Sequence, residues 1–152
     1  MEYILNEDFK DFIRAFNNQE VEYILVGGYA VIIHGYNRTT GDMDIWVNQT
    51  VDNYKKIIKA FDEFGMPVFD MTEKNFLHNS DLDVFSFGVP PVSIDLMTRT
   101  KGLEFESCFK NAEVHDIDGL PVRVLHIDDL IKAKKATNRP KDQDDIENLG
   151  SP

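Results

Sequence analysis

Residues 21–47 leave the chain few ways to fold. Residues 21–26 read Val-Glu-Tyr-Ile-Leu-Val, a β-rich run that Gly27-Gly28 stops abruptly. Residues 29–34 are apolar enough for one short buried helix, with Gly35 placed to cap it. Residues 42–47 then read Asp-Met-Asp-Ile-Trp-Val, and the period of two puts Asp42 and Asp44 on one face of a second strand. Two carboxylates so close repel each other unless a cation stands between them, and a hard divalent ion such as Mg²⁺ is the natural partner of paired oxygens. Glycines lacking Cβ atoms let backbone N–H groups reach phosphate oxygens at the start of a helix. The same residues also admit a plainer reading, a turn made of glycine for steric reasons and two solvated aspartates.

The rest of the pattern mixes helices with strands. Phe9, Phe12, Ile13 and Phe16 recur at helical spacing behind Asn6, which predicts a helix over 6–18. Thr50 caps a second amphipathic helix carrying Tyr54, Ile57, Ile58 and Phe61. Residues 66–87 give a mixed signal, with a strand over 84–87, a loop around 78–81, and a stretch over 66–80 that serves either as a lid or as a connection. Residues 92–97 read as a central strand, 103–110 as a short helix, and 114–124 as a hairpin turning at Asp118-Gly119. Ile127, Leu130, Ile131 and Lys134 mark another helix; Arg139-Pro140 breaks it, and 141–149 forms the last. The expected class is α/β (α+β), one domain over 1–152.

Composition excludes several functions. The 152 residues carry 16 Lys+Arg against 27 Asp+Glu, a net charge of −11, so there is no footprint for non-specific DNA binding. No apolar run approaches the roughly 20 residues that cross a bilayer. Residues 1–8 lack the basic and apolar parts of a secretory signal, and Cys108 is the only cysteine, so a cytoplasmic location is expected.

Asp-x-Asp pairs alone discriminate poorly: 17 aspartates give about two by chance, and four occur. Asp116/Asp118 approach a hairpin turn, Asp142/Asp144 open a polar helix where the helix dipole favours them, and Asp81/Asp83 beside His78 lack a third ligand. Asp95 stands apart from these, since an aspartate between Ile94 and Leu96 in a buried-looking strand needs a partner or a metal ion. Lys134 shares the apolar stripe of its helix and so faces inward, where a triphosphate or the aspartate cluster would neutralise it unless the side chain snorkels to the helix edge. The four histidines match no metal-ligand spacing, and Cys108 lacks a catalytic setting.

Val26-Gly27-Gly28, thirteen further residues, then Asp42-Met43-Asp44-Ile45 and later Ile94-Asp95-Leu96 together resemble the signature of the nucleotidyltransferase superfamily, the DNA polymerase beta-like group. Arg38-Thr39-Thr40-Gly41-Asp42-Met43-Asp44 looks like the Arg-x-Thr-x-Asp-x-Asp approach of minimal nucleotidyltransferases and abortive-infection toxin enzymes. Lys134 and Arg139-Pro140-Lys141-Asp142 resemble a further element of that group. The resemblance implies a mixed sheet flanked by helices and transfer of a nucleoside monophosphate from an NTP to an acceptor hydroxyl. It implies that Asp42, Asp44 and Asp95 hold two Mg²⁺ ions, Asp95 also assisting deprotonation of the acceptor. Gly27, Gly28, Arg38, Thr40, Lys134 and Lys141 are then the candidate nucleotide contacts. Acceptors in such a group are a partner toxin's tyrosine, transfer RNA or an antibiotic hydroxyl, which leaves open a toxin–antitoxin role, a small-molecule enzyme, or a non-catalytic nucleotide- or partner-binding relative. A partner chain or a homodimer would complete an acceptor site in so short a chain.

Overall fold

Asn6 accepts a hydrogen bond from the Phe9 backbone N–H at 2.8 Å and so starts α1 (Glu7–Asn18), whose Phe9, Phe12, Ile13 and Phe16 are all buried. The structure, a computed structural model, describes residues 6–36, 40–89 and 92–149. After α1 come β1 (Tyr23–Val26), α2 (Gly27–Ile33), β2 (Asp42–Val47), α3 (Val51–Phe64), α4 (Glu73–His78) and β3 (Val84–Val89). They are followed by β4 (Val92–Met97), α5 (Phe105–Asn111), β5 (Glu113–Ile117), β6 (Leu120–Val124), α6 (Ile127–Thr137) and α7 (Pro140–Leu149).

The strands form one mixed sheet in the order β3-β4-β2-β1-β6-β5. β2 runs antiparallel to β1 and parallel to β4, while β3 and β5 are antiparallel edges. The alternation read from 42–47 sorts the two faces. Met43 and Ile45 lie beside Ile94 and Leu96 and share their face with Phe85 and Phe87. α1 and α3 cover that face: Phe61 meets Phe87 with ring centroids 4.8 Å apart, and Phe12 meets Phe61 edge-on at 5.5 Å. Burying each such ring contributes about 1.5–3 kcal/mol. Asp42, Asp44 and Trp46 project to the opposite face, where Trp46 packs against Phe105 of α5 at 5.2 Å and α6 roofs the ground beside Asp44.

Asn53 fixes where α3 begins. Its side chain accepts from the Glu22 N–H at 2.7 Å and donates to the Glu22 and Asn48 carbonyls at 3.1 and 2.8 Å, tying the helix start to both central strands. The β5–β6 turn follows its sequence: Asp118 and Gly119 both take positive φ, 54° and 85°, the type I′ geometry of a two-residue hairpin.

Three expectations need correction. Helix α2 begins at Gly27 itself rather than after a Gly-Gly turn. Pro140 begins α7 instead of standing outside it, because the first helical position needs no N–H donor. Residues 73–78, taken as mixed and running into a loop, form α4, capped by Thr72; with only Phe76 buried, six residues are too few to show a helical stripe. The 66–80 stretch is a connection fastened to the core, since Met71 and Phe76 are fully buried and their carbonyls accept from Tyr54 Oη at 3.0 Å and Gln49 Nε2 at 2.8 Å. Among the described residues no helix is long and apolar enough to cross a membrane.

Candidate functional site

The acidic face is built by register. In the parallel pairing of β2 with β4, Asp42 lies opposite Ser93 and Asp44 opposite Asp95, so three carboxylates from distant segments share one patch of sheet. Asp42 is exposed at the strand start, and Asp44 and Asp95 are half-buried. The Ser93 hydroxyl, itself buried, donates to Asp42 Oδ1. Burial, then the neighbouring charges of Asp95 and Asp42 and a hydrogen bond with Asp95, push Asp44 up to about 7, with Lys134 pulling the other way. Burial and the nearby Asp42 carboxylate raise the Tyr29 phenol as well.

Gly27 is required beside this patch. Its φ is +67°, and a Cβ there would overlap Asp44 Oδ2. The glycine at 27 thus makes room for a carboxylate. Gly28 is buried within α2, which has only seven residues.

Lys134 faces inward as its spacing predicts, and its partners lie on α7: Nζ is 3.4 Å from Asp142 Oδ1 and 3.0 Å from Asp145 Oδ2. Asp142 and Asp145 have no exposed surface. Asp142 therefore is not a solvated helix opener but a buried anchor. It accepts from Thr137 Oγ1 at 2.5 Å, from the Arg139 N–H at 3.0 Å, and from Arg139 Nε and Nη2 at 2.8 and 3.0 Å. Burial pushes its carboxyl up, but the bonds from Arg139 and Thr137 with the Lys134 charge outweigh that and hold it well below the usual carboxylate range. The repeat of Asp142, Asp145 and Leu149 at i, i+3, i+7 on one face was the available sign that these acids point inward.

Gly27, Asp44, Lys134, Arg139 and Asp142 line an open pocket of about 160 Å³ under α6, with apolar walls that include Val26 and Met97. Asp42 and Asp95 flank it on the same face. Thr40 is half-buried just before β2, and Lys141 is exposed on the first turn of α7; neither lines the pocket. Arg38 lies outside the described residues. Ser93, Thr137 and Asp145 were not expected at the site.

Among the described residues no three His, Cys, Asp or Glu side chains are gathered as a metal ion requires. The donor set nevertheless fits a hard divalent cation in its chemistry: all donors are carboxylate oxygens, and their mutual repulsion adds to burial in lifting Asp44. Closure around an ion requires the Asp44–Asp95 hydrogen bond to open.

A mixed sheet with acids on β2 and β4, a positive-φ glycine directly after β1 and helices on both faces defines a nucleotidyltransferase-like domain. The chain belongs to the family described as Nucleotidyltransferase of unknown function (DUF6036), whose model matches residues 5–150. No curated protein matches it in sequence. Among solved structures, a lincosamide antibiotic adenylyltransferase, LnuA, bound to lincomycin, superposes with a TM-score of 0.62 at 14% identity, covering 99% of both chains. The antibiotic-resistance factor ANT(2'')-Ia gives 0.60 at 12% identity, covering 93% of this chain and 80% of its own. A Thermotoga maritima protein, TM1012, described as a "putative nucleotidyltransferase", gives 0.61 at 14% identity over 91% and 88% of the two chains. At such identities the likeness is one of fold.

Proposed function

We propose that the protein is a metal-dependent nucleotidyltransferase that moves a nucleoside monophosphate from an NTP to an acceptor hydroxyl. The observation that carries the reading is the registered pair Asp44–Asp95 beside Asp42, on an open face next to Gly27. In this reading Asp42, Asp44 and Asp95 hold divalent ions, which supply charge neutralisation for the triphosphate and the attacking oxygen. The acceptor oxygen forms a bond to the α-phosphorus, the bond to the bridging oxygen breaks, and pyrophosphate leaves. Asp95, on the side away from Gly27, accepts the acceptor's proton. Gly27 keeps the Asp44 carboxylate close to the start of α2, and the buried Lys134 sets the potential behind Asp44.

The acceptor is a hydroxyl brought by another molecule. Fold likeness over the full length of a lincosamide adenylyltransferase supports a small-molecule acceptor; a protein tyrosine or transfer RNA, as in a toxin–antitoxin pair, is the alternative that the same experiment separates. Thermal shift with each NTP and Mg²⁺ is expected to stabilise the natural chain and to leave Asp42→Asn/Asp44→Asn unmoved. Labelled NTP then reports transfer to small hydroxyl compounds, to protein or to RNA. No stabilisation by any NTP at millimolar concentration overturns the reading in favour of a non-catalytic domain.

A further inference from the structure

Ser93 is, among the residues that the site gains from the structure and not from a motif, the one that touches the acids of the sheet. It lies directly across the parallel β2–β4 ladder from Asp42, just as Asp95 lies across from Asp44. Its side chain is buried, with 8% of the residue exposed, and a buried hydroxyl must spend its hydrogen bond on something. It donates to Asp42 Oδ1. Asp42 by contrast is exposed at the first position of its strand, where an unrestrained carboxylate samples several rotamers. The serine occupies Oδ1 of Asp42 and, among the described residues, leaves Oδ2 without a hydrogen-bond partner, which fixes the direction in which Oδ2 points.

We propose that Ser93 is a positioning residue for the nucleotidyl-transfer site: by binding Oδ1 it holds Asp42 in the orientation in which Oδ2 serves a divalent cation. This rests on the reading of the acidic face as a metal site. A hydroxyl is suited to the task because it donates one bond without adding charge to a patch whose function requires net negative charge.

The test is Mn²⁺ binding to the full chain without nucleotide, followed by electron paramagnetic resonance. Variants are Ser93→Ala, Ser93→Thr, Asp42→Asn and the double variant Ser93→Ala/Asp42→Asn, each checked by circular dichroism and melting temperature. Ser93→Ala is expected to weaken Mn²⁺ binding about tenfold, the lower end of what loss of such a supporting bond costs, with little change in melting temperature. Ser93→Thr, which keeps the hydroxyl and suits a strand, is expected to restore it. Adding Ser93→Ala to Asp42→Asn is expected to cost nothing further, since the serine acts through that carboxylate. Affinity unchanged in Ser93→Ala, or the same extra loss on top of Asp42→Asn, overturns the proposal while leaving the metal site standing. Natural chain that binds Mn²⁺ no better than Asp42→Asn overturns both.

Discussion

The α-carbon of Gly27 lies against the carboxylate of Asp44, so that no side chain at 27 is compatible with the observed position of Asp44. The contact joins the first residue of α2 to the middle of β2. It also makes the glycine a determinant of where the acid points.

Gly27→Ala is therefore expected to be worse than a positive-φ substitution alone. Gly119 has φ +85° with open space around its Cβ position, so Gly119→Ala carries only the left-handed strain of about 1–2 kcal/mol. Gly27→Ala adds displacement of Asp44, and urea denaturation should show a loss larger by about 1 kcal/mol or more. Nucleotide-dependent stabilisation should vanish in Gly27→Ala and persist in Gly119→Ala.

Metal-free protein should lose stability as the pH rises from about 4 to about 7 on account of Asp44. Its folded pKa is raised to about 7 by burial and by its acidic neighbours, so the native state holds a proton that the unfolded chain releases near 3.8. The stabilising contribution is complete below the lower value and gone above the upper one. Unfolding free energies at pH 5 and pH 8 should differ less in Asp44→Asn than in the natural chain.

Lys134 is expected to be a stability residue whatever its part in chemistry. Lys134→Met leaves Asp142 and Asp145 buried near one another without their shared cation, a change that costs about 3–5 kcal/mol. Lys134→Met/Asp142→Asn should recover part of that loss in the same denaturation assay. Asp142 has the opposite pH sense from Asp44: its folded pKa is lowered, so its contribution is present above the ordinary carboxylate value and lost as the pH falls below it.

Cys108 should resist alkylation in the native state. It is 2% exposed, and burial followed by the Asp129 carboxylate pushes its thiol up to about 11. Reaction with a thiol reagent at pH 8 should be slow until urea unfolds the chain.

Much of the architecture was legible because its signals are local. Asn6, Thr50 and Asp118-Gly119 announce two helix starts and a hairpin turn, and the alternation of Asp42, Asp44 and Trp46 assigns a face without reference to anything else. Asp95 could be picked out because its apolar neighbours make it anomalous. What stayed hidden depends on pairing between distant segments. Nothing near Ser93 says that it will sit across from Asp42, and nothing near Lys134 says that Asp142 and Asp145 of the next helix will be its partners. The glycine at 27 was legible as a special position, yet its neighbour could be named only after β1 and β2 were seen side by side.

The parallel pairing of β2 with β4 also bears on how the chain acquires its site. Asp42 and Ser93 are 51 positions apart, with α3, α4 and β3 between them in the chain, so closing the ladder joins segments far apart in sequence. A cation seated across that ladder is a long-range crosslink in effect: it favours only molecules in which the crossover is complete. Newly made or damaged chains lacking the crossover would be blind to the ion, and its uptake would mark the moment at which the middle of the sheet locks.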